Sequence, residues 1–219
     1  MVERAILFNG TMVAALLAGR KTQTRRALKP PYGTLELTSN GWKPIHTKVH
    51  VNDRLYVCET HFRYGHWEPK GTAKTKGGKQ KWHFVEDSAV VVFDAPAEFR
   101  KGMSNADPYT PAWHKRPGRF MFRKHSRLTL KITDVRIERL QDISETDAVA
   151  EGCFKGKASG RVFNSATAMH LGGDEWSNAR DWYADLWERI NGLNSWDANP
   201  WVVAYTFVTI NANIDQVAA

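Results

Sequence analysis

Apolar and polar residues along the chain recur with two different periods, and these assign most of its elements before composition is considered. Arg4 to Phe8 predicts a short strand; beyond it, with Thr11 as N-cap, Met12, Val13, Leu16 and Leu17 share one helical face that Gly19 ends. Residues 40–53 contain Gly41, Pro44 and Asn52-Asp53 and read as loop and turn. The strand 54–60 follows, with Leu55, Val57 and Glu59 on one side. The clearest strand runs over 127–140. Leu128, Leu130 and Ile132 alternate with Thr129, Lys131 and Thr133, then Asp134 interrupts and Val135 and Ile137 resume, which predicts a bulge or bend near Thr133-Asp134. Ser144, with Asp147 three residues on, opens a second helix that Gly152 stops directly after Glu151. A third helix over 178–190 carries Trp182, Leu186 and Ile190 on one stripe, read as core, with Tyr183 and Trp187 beside it. Residues 200–209 close the pattern as a strand of Val, Tyr, Thr and Phe.

Residues 61–112 break this order. They predict a hairpin from 81–85 and 89–93, a loop with two prolines over 105–111, and a mobile glycine-lysine loop from Lys70 to Lys81, which lacks the apolar periodicity to bury surface. The whole stretch reads as an insertion into a single domain spanning 1–219. Separate strands with a few short helices give an α+β fold class, expected as a small curved sheet or barrel whose mouth is covered by helices.

Charge adds a partner class. The formal net charge is +8, and 16 of the 31 Lys and Arg residues fall in three windows without a carboxylate, at 19–29, 70–81 and 113–127. Clustered cations release counterions on meeting phosphates, so the distribution favours a phosphate-bearing partner such as RNA or single-stranded nucleic acid. No apolar run reaches membrane-spanning length, and Met1 to Phe8 lacks the apolar centre of a secretory signal, so a soluble cytoplasmic chain without membrane contact is expected. Cys58 and Cys153 are too few for a disulfide framework or an all-cysteine metal site and are expected as reduced thiols.

The segment from Leu17 to Arg26 concentrates the chemistry. It joins a helix end to Arg20, Lys21, Thr22, Thr24, Arg25 and Arg26 with no carboxylate. A threonine hydroxyl is inert until a neighbour takes its proton, and Lys21 beside three arginines is a candidate acceptor for Thr24. Residues three apart on a straight strand point to opposite faces, so this pairing requires the chain to bend there. Glu151, at the negative end of a helix dipole, occupies a poor place for a negative charge and a suitable one for a proton donor. Glu59, on the apolar side of its strand, needs a cation such as Arg127 or Lys21, or belongs to a pocket. Cys58, His61 and His66 offer a weaker zinc reading, and the Pro-Cys-x-x-Cys half of a zinc-deaminase signature is absent. Dinucleotide, Walker A and Gly-x-Ser-x-Gly motifs are also absent, leaving those chemistries without support.

The segments Ile6 to Val13 and Leu17 to Arg26 resemble the opening of the ASCH-domain family. Asp53 to Thr60, Ser126 to Leu128, Val135 to Ser144, Ala150 to Gly152 and Trp196 to Trp201 resemble a phage and prophage branch of it. The resemblance implies a PUA-like small β-barrel with flanking helices and a cleft that binds RNA or nucleosides. Small bacterial members similar to this chain hydrolyse the acetyl amide of N4-acetylcytidine without a metal or other cofactor. Their lysine, threonine and glutamate match Lys21, Thr24 and Glu151 as proton acceptor, nucleophile and proton donor. Arg20, Arg25, Arg26, Glu59 and Arg127 are the accompanying candidates for substrate binding. The implied partner is a modified cytosine nucleoside, free or within RNA. A non-catalytic RNA-binding module and a ribonuclease are the alternatives, because family membership does not fix activity.

Overall fold

The alternation along residues 127–140 and 200–209 is realised at the centre of a coiled sheet. In the computed structural model, which describes residues 2–31, 34–39 and 41–217, the chain divides into two compact units, Met1–Val57 with Arg127–Ala219, and Cys58–Ser126. The first unit begins with β1 (Glu3–Leu7), α1 (Gly10–Leu17), β2 (Gln23–Ala27), β3 (Leu35–Thr38), β4 (Gly41–Pro44) and β5 (Arg54–Cys58). The second holds β6 (His61–Lys74), β7 (Gln80–Val92) and β8 (Ala112–Arg116). The first then resumes with β9 (Thr129–Arg139), α2 (Glu145–Ala150), β10 (Phe154–Lys155), β11 (Val162–Phe163), α3 (Ala166–His170), β12 (Glu175–Trp176), α4 (Ala179–Asn191) and β13 (Trp201–Ile210). The architecture is mixed α and β with sheet predominating.

The main sheet has the order β1-β5-β9-β13-β2. Strands four places apart in a flat sheet would lie roughly 19 Å apart at the usual spacing of about 4.8 Å. Yet the Arg26 guanidinium on β2 donates to the Leu7 carbonyl at the end of β1 across 2.7 Å. The sheet is therefore curled until its edges approach through a side chain, while among the described residues no backbone pairing joins them into a closed barrel.

Alternation along β13 divides the core. Val203, Tyr205 and Phe207 join Leu55, Val57, Leu128, Leu130, Ile132, Val13 and Leu16 in one cluster, whereas Val202 points the other way, to Ala148, Trp182, Tyr183 and Trp187. The expected bulge is present: Thr206 faces Asp134 and Phe207 faces Ile132, so Thr133 is the extra residue. It shifts the inward positions from even to odd numbers, which keeps Val135 packed against the same cluster as Leu130 and Ile132.

Several expectations are corrected. Asn9, not Thr11, caps α1, its Oδ1 accepting from the Met12 backbone N–H at 2.9 Å. Residues 41–44, expected as loop, form β4 and pair with β3, Leu35 opposite Pro44; Asn40 itself lies outside the described residues. On α4 the buried face comprises Ala179, Trp182, Tyr183 and Trp187, whereas Ile190 is 49% exposed. The stripe read as core is rotated by about one position, because α4 packs chiefly against α2 on its Tyr183 side.

The second unit is more regular than its composition suggests. Its strands run in the order β7-β6-β8, and the segment expected as a mobile loop forms the end of the β6–β7 pair, closed by Thr75 N–H to Lys79 C=O at 2.7 Å. The shorter expected hairpin is likewise replaced by one continuous β7. Cross-strand partners explain both outcomes: Trp67 faces Phe84 and Pro69 faces Trp82, so aromatic contact overrides the low strand propensity of the intervening lysines and glycines. Lys70, Lys74, Lys76, Lys79 and Lys81 are exposed on the distal half. Gly65 is required at the base, since a Cβ there would fall 2.0 Å from the Val85 carbonyl oxygen. Among the described residues no helix is long and apolar enough to cross a membrane.

His125 in this unit is buried with the Arg63 guanidinium against it at 2.6 Å. Burial, aided by the Arg63 charge, lowers its pKa from 6.5 to about 4. The unfolded chain therefore binds a proton that the folded chain refuses between these values, so the contribution to stability is complete above pH 6.5 and is lost as pH falls toward 4. Urea midpoints measured across that range are expected to fall with pH, and His125→Gln, which cannot take the proton, to flatten the decline. An unchanged slope in the variant would contradict this assignment.

Candidate functional site

The site begins where α1 stops. Gly19, at φ 70°, lets the chain reverse, and both Arg20 N–H and Lys21 N–H donate to the Ala15 carbonyl, at 2.9 and 3.1 Å. Thr22 N–H then binds the Ala150 carbonyl at the end of α2 at 2.8 Å, and the chain enters β2 at Gln23. The chain thus bends between helix and strand, at Lys21 and Thr22, before Thr24. Thr22 is exposed whereas Thr24 is buried, so Thr24 is the hydroxyl enclosed by the fold.

Lys21 and Glu151, 130 residues apart, meet in the interior. The Lys21 ammonium donates to Glu151 Oε2 at 2.7 Å and to the Glu151 backbone carbonyl at 2.8 Å, thereby also binding the C-terminal end of α2. Gly152 permits the approach: its φ is 110°, and a Cβ would lie 2.9 Å from Lys21 Cβ and 3.0 Å from Ala15 Cβ. Burial lowers the Lys21 pKa, opposed by Glu151 and reinforced by Arg26 and Arg25. Loss of water is the main cause, with the arginines secondary.

Arg25 organises the acidic side. Its Nε donates to Glu138 at 2.8 Å, its NH2 to Asp147 at 3.1 Å and its NH1 to Glu151 at 3.2 Å. Asp147 also accepts from Gln23 at 2.9 Å and Arg136 at 3.0 Å. Burial works to raise the Asp147 pKa, but the Gln23 hydrogen bond and the charges of Arg136 and Arg25 outweigh it and hold the group below its ordinary range. Tyr183 of α4 is buried beside Glu151, and burial together with that carboxylate raises its phenol pKa well above the usual value.

A cleft opens onto this network in two lobes. The narrow lobe, about 50 Å³, is lined by Thr24, Arg25, Arg26, Glu151, Tyr183 and Trp187 among others. The wider lobe, about 280 Å³, is bordered by Asn9, Thr11, Gly152, Asn164, Trp182 and Arg189 among others. Glu151, Met12, Leu186 and Ile190 border both lobes. The exposed end of the α4 stripe therefore forms a cleft wall.

Of the residues chosen from sequence, the structure brings Lys21, Thr24, Arg25, Arg26 and Glu151 together. Lys21 is wholly buried behind Glu151 and lines neither lobe. Arg20 stands over the Phe154 ring at 5.8 Å and borders neither lobe. Arg127 precedes β9, eleven residues from Glu138, or roughly 36 Å of extended strand, and also borders neither lobe. Glu59 belongs to the second unit, where it is buried and its carbonyl contacts His61 Nδ1 at 3.1 Å. Gln23, Glu138, Asp147 and Tyr183 were not singled out in the sequence. The signal for Asp147 was its place in the first turn of the helix that ends at Glu151. Both cysteines are free and buried. Among the described residues no group of three or more His, Cys, Asp or Glu is arranged to hold a metal ion. Comparison with family models, curated proteins and solved structures returned no match.

Gly152→Ala tests whether the junction is as tight as the geometry requires. The substitution combines a forbidden backbone conformation with a side-chain collision, for an expected loss of about 1–3 kcal/mol in urea unfolding. Gly10→Ala, at a helix position open to solvent, supplies the control and is expected to be neutral or slightly stabilising.

Proposed function

We infer that this chain is an amidohydrolase that removes the acyl group from N4-acetylcytidine or a related N4-acylated cytosine nucleoside. The observation that carries the reading is the Lys21–Glu151 contact at 2.7 Å, buried behind a cleft that Thr24 lines. The coiled five-stranded sheet with helices packed on it also supports a PUA-like relationship. Burial lowers the Lys21 pKa and so favours the neutral amine, a proton acceptor held within one hydrogen bond of a carboxyl group that can pass a proton on.

In this mechanism the nucleoside occupies the wider lobe, against Trp182 and Leu186, and the small acyl group enters the narrow lobe beside Thr24. The amide then crosses Glu151, the residue common to both. Thr24 Oγ attacks the acyl carbon as Lys21 takes its proton; the bond from carbon to the exocyclic nitrogen breaks as Glu151 protonates that nitrogen, releasing cytidine. Water attacks the resulting acyl-threonine and gives a proton to Glu151, while Lys21 returns its proton to the departing Thr24 oxygen. The products are the free acid and the starting enzyme. Arg26 supplies the carbonyl-polarising charge at the narrow lobe. Arg25 acts as a positioning residue, its guanidinium already held by Glu138, Asp147 and Glu151.

Chromatographic assay of N4-acetylcytidine is expected to show cytidine release by the wild type. Thr24→Ala, which leaves the Lys21–Glu151 contact intact, is expected to lower kcat by about a thousandfold or more, and Thr24→Ser to retain part of it. Activity is expected to fall on acidification as Lys21 gains a proton, at a pH below the 10.5 of an unperturbed lysine. Wild-type silence toward acylated cytosines, or full activity in Thr24→Ala, would overturn the reading. Tight binding without turnover would identify a non-catalytic reader instead.

A further inference from the structure

A second cavity, of about 280 Å³, lies entirely within the Cys58–Ser126 unit, and its charges are arranged differently. Arg63, Arg116 and Arg119 border it, with Phe84, Phe120, Phe122 and a single carboxylate, Glu86. Glu86 pairs with Arg63 at 2.7 Å. Arg116 feels the field of Glu86, but among the described residues neither Arg116 nor Arg119 forms a salt bridge. His61 and His125 do not add charge at neutral pH, since burial and the neighbouring arginines lower both pKa values.

Two observations point to a ligand. Arg116 is half-buried in a cage of rings, 4.6 Å from the Phe84 centroid and 5.1 Å from those of Trp67 and Phe120. Cation–π contact offsets only part of the cost of removing such a charge from water, leaving a preorganised cation without a paired anion. Arg63 is 1% exposed and its terminal nitrogens already bind Ser88, Glu86 and His125, so Arg116 and Arg119 are the cations left for a ligand. Guanidinium groups select phosphate through paired N–H donors. The cavity is larger than a phosphate needs, and Phe122 at its border is 60% exposed, which leaves a ring face open to a planar partner.

We propose that this cavity binds a nucleotide, its phosphate held by Arg116 and Arg119 and its base stacked on Phe122. A free mononucleotide and one unit of a single strand offer the same phosphate-and-base chemistry. The site uses no residue of the Lys21–Glu151 cleft, so it stands or falls separately from the hydrolase reading.

The test uses the full chain and adenine probes, which keep the measurement distinct from a cytosine-accepting cleft. Adenosine 5′-monophosphate, adenosine, inorganic phosphate and a labelled oligoadenylate octamer are titrated by calorimetry or anisotropy. The monophosphate is expected to saturate one site, with adenosine and phosphate each weaker by about tenfold or more. Arg119→Met, at an exposed residue, and Arg116→Met, whose apolar replacement suits the ring cage, are each expected to weaken the monophosphate by about tenfold, whereas Thr24→Ala leaves it unchanged. An octamer bound more tightly, with affinity falling steeply as salt rises, assigns the site to a strand; one bound no more tightly assigns it to the free nucleotide. Saturation by neither probe, equal affinity for phosphate and the monophosphate, or wild-type affinity in folded Arg119→Met would overturn the proposal.

Discussion

A buried amine and a buried carboxylate from opposite parts of the chain hold the first unit's functional region in one arrangement. Lys21 is fixed by the turn that ends α1 and Glu151 by the last turn of α2, and their contact leaves no space for a side chain at Gly152. Two unpaired charges in that position would each be strongly unfavourable, so neither helix end can move alone without exposing an uncompensated group to a dry interior. The Thr22 N–H to Ala150 C=O bond ties the same two segments through backbone. Position is thereby transmitted to Thr24, two residues further on, at the start of an edge strand.

The arginine beside this pair explains why the sheet is needed. Arg25, Ala204 and Arg136 lie in one cross-strand row over β2, β13 and β9, and opposed residues share a face. Alanine at the centre of the row leaves room for guanidinium groups on either side, and both reach Asp147. Lysine at position 25 would lose this function, because only the planar fork of arginine can donate to Glu138, Asp147 and Glu151 at once. The sheet register thus aligns the acidic groups of β9 and α2 with the first cleft lobe.

Much of the central sheet was legible in the sequence because one face is buried along uninterrupted strands. The change from Leu130 and Ile132 to Val135 and Ile137 even marked an irregularity near Thr133-Asp134, where the bulge lies. Legibility failed where pairing partners decide: the lysines and glycines of 70–81 read as loop until Trp67 and Phe84, and Pro69 and Trp82, are seen opposite one another. The α4 stripe was misread for a related reason. Periodicity identifies an apolar face but does not say whether its far end meets protein or borders a cleft, as Leu186 and Ile190 do. At the site, unusual local chemistry made Lys21, Thr24 and Glu151 visible, whereas Asp147 read only as part of a helix start and Glu138 carried no local signal. Their importance arises from the Arg25 row, a property of register that no local window contains.

The two cavities differ most in how their charges are balanced. Around the first, Lys21, Arg25 and Arg136 are met by Glu151, Glu138 and Asp147, which leaves Arg26 at the narrow lobe as the cation without a salt bridge among the described residues. A neutral nucleoside amide can enter such a place without importing a charge that must be desolvated, and a proton can move between Lys21 and Glu151 with little change in the net field. In the second, Glu86 answers Arg63 but leaves Arg116 and Arg119 in excess among aromatic rings. Discrimination by that cavity must come from the charge its ligand brings: a neutral base gains ring contact alone, whereas a phosphorylated one also supplies the missing anion. Similar residue types therefore serve opposite ends according to whether acids accompany the bases.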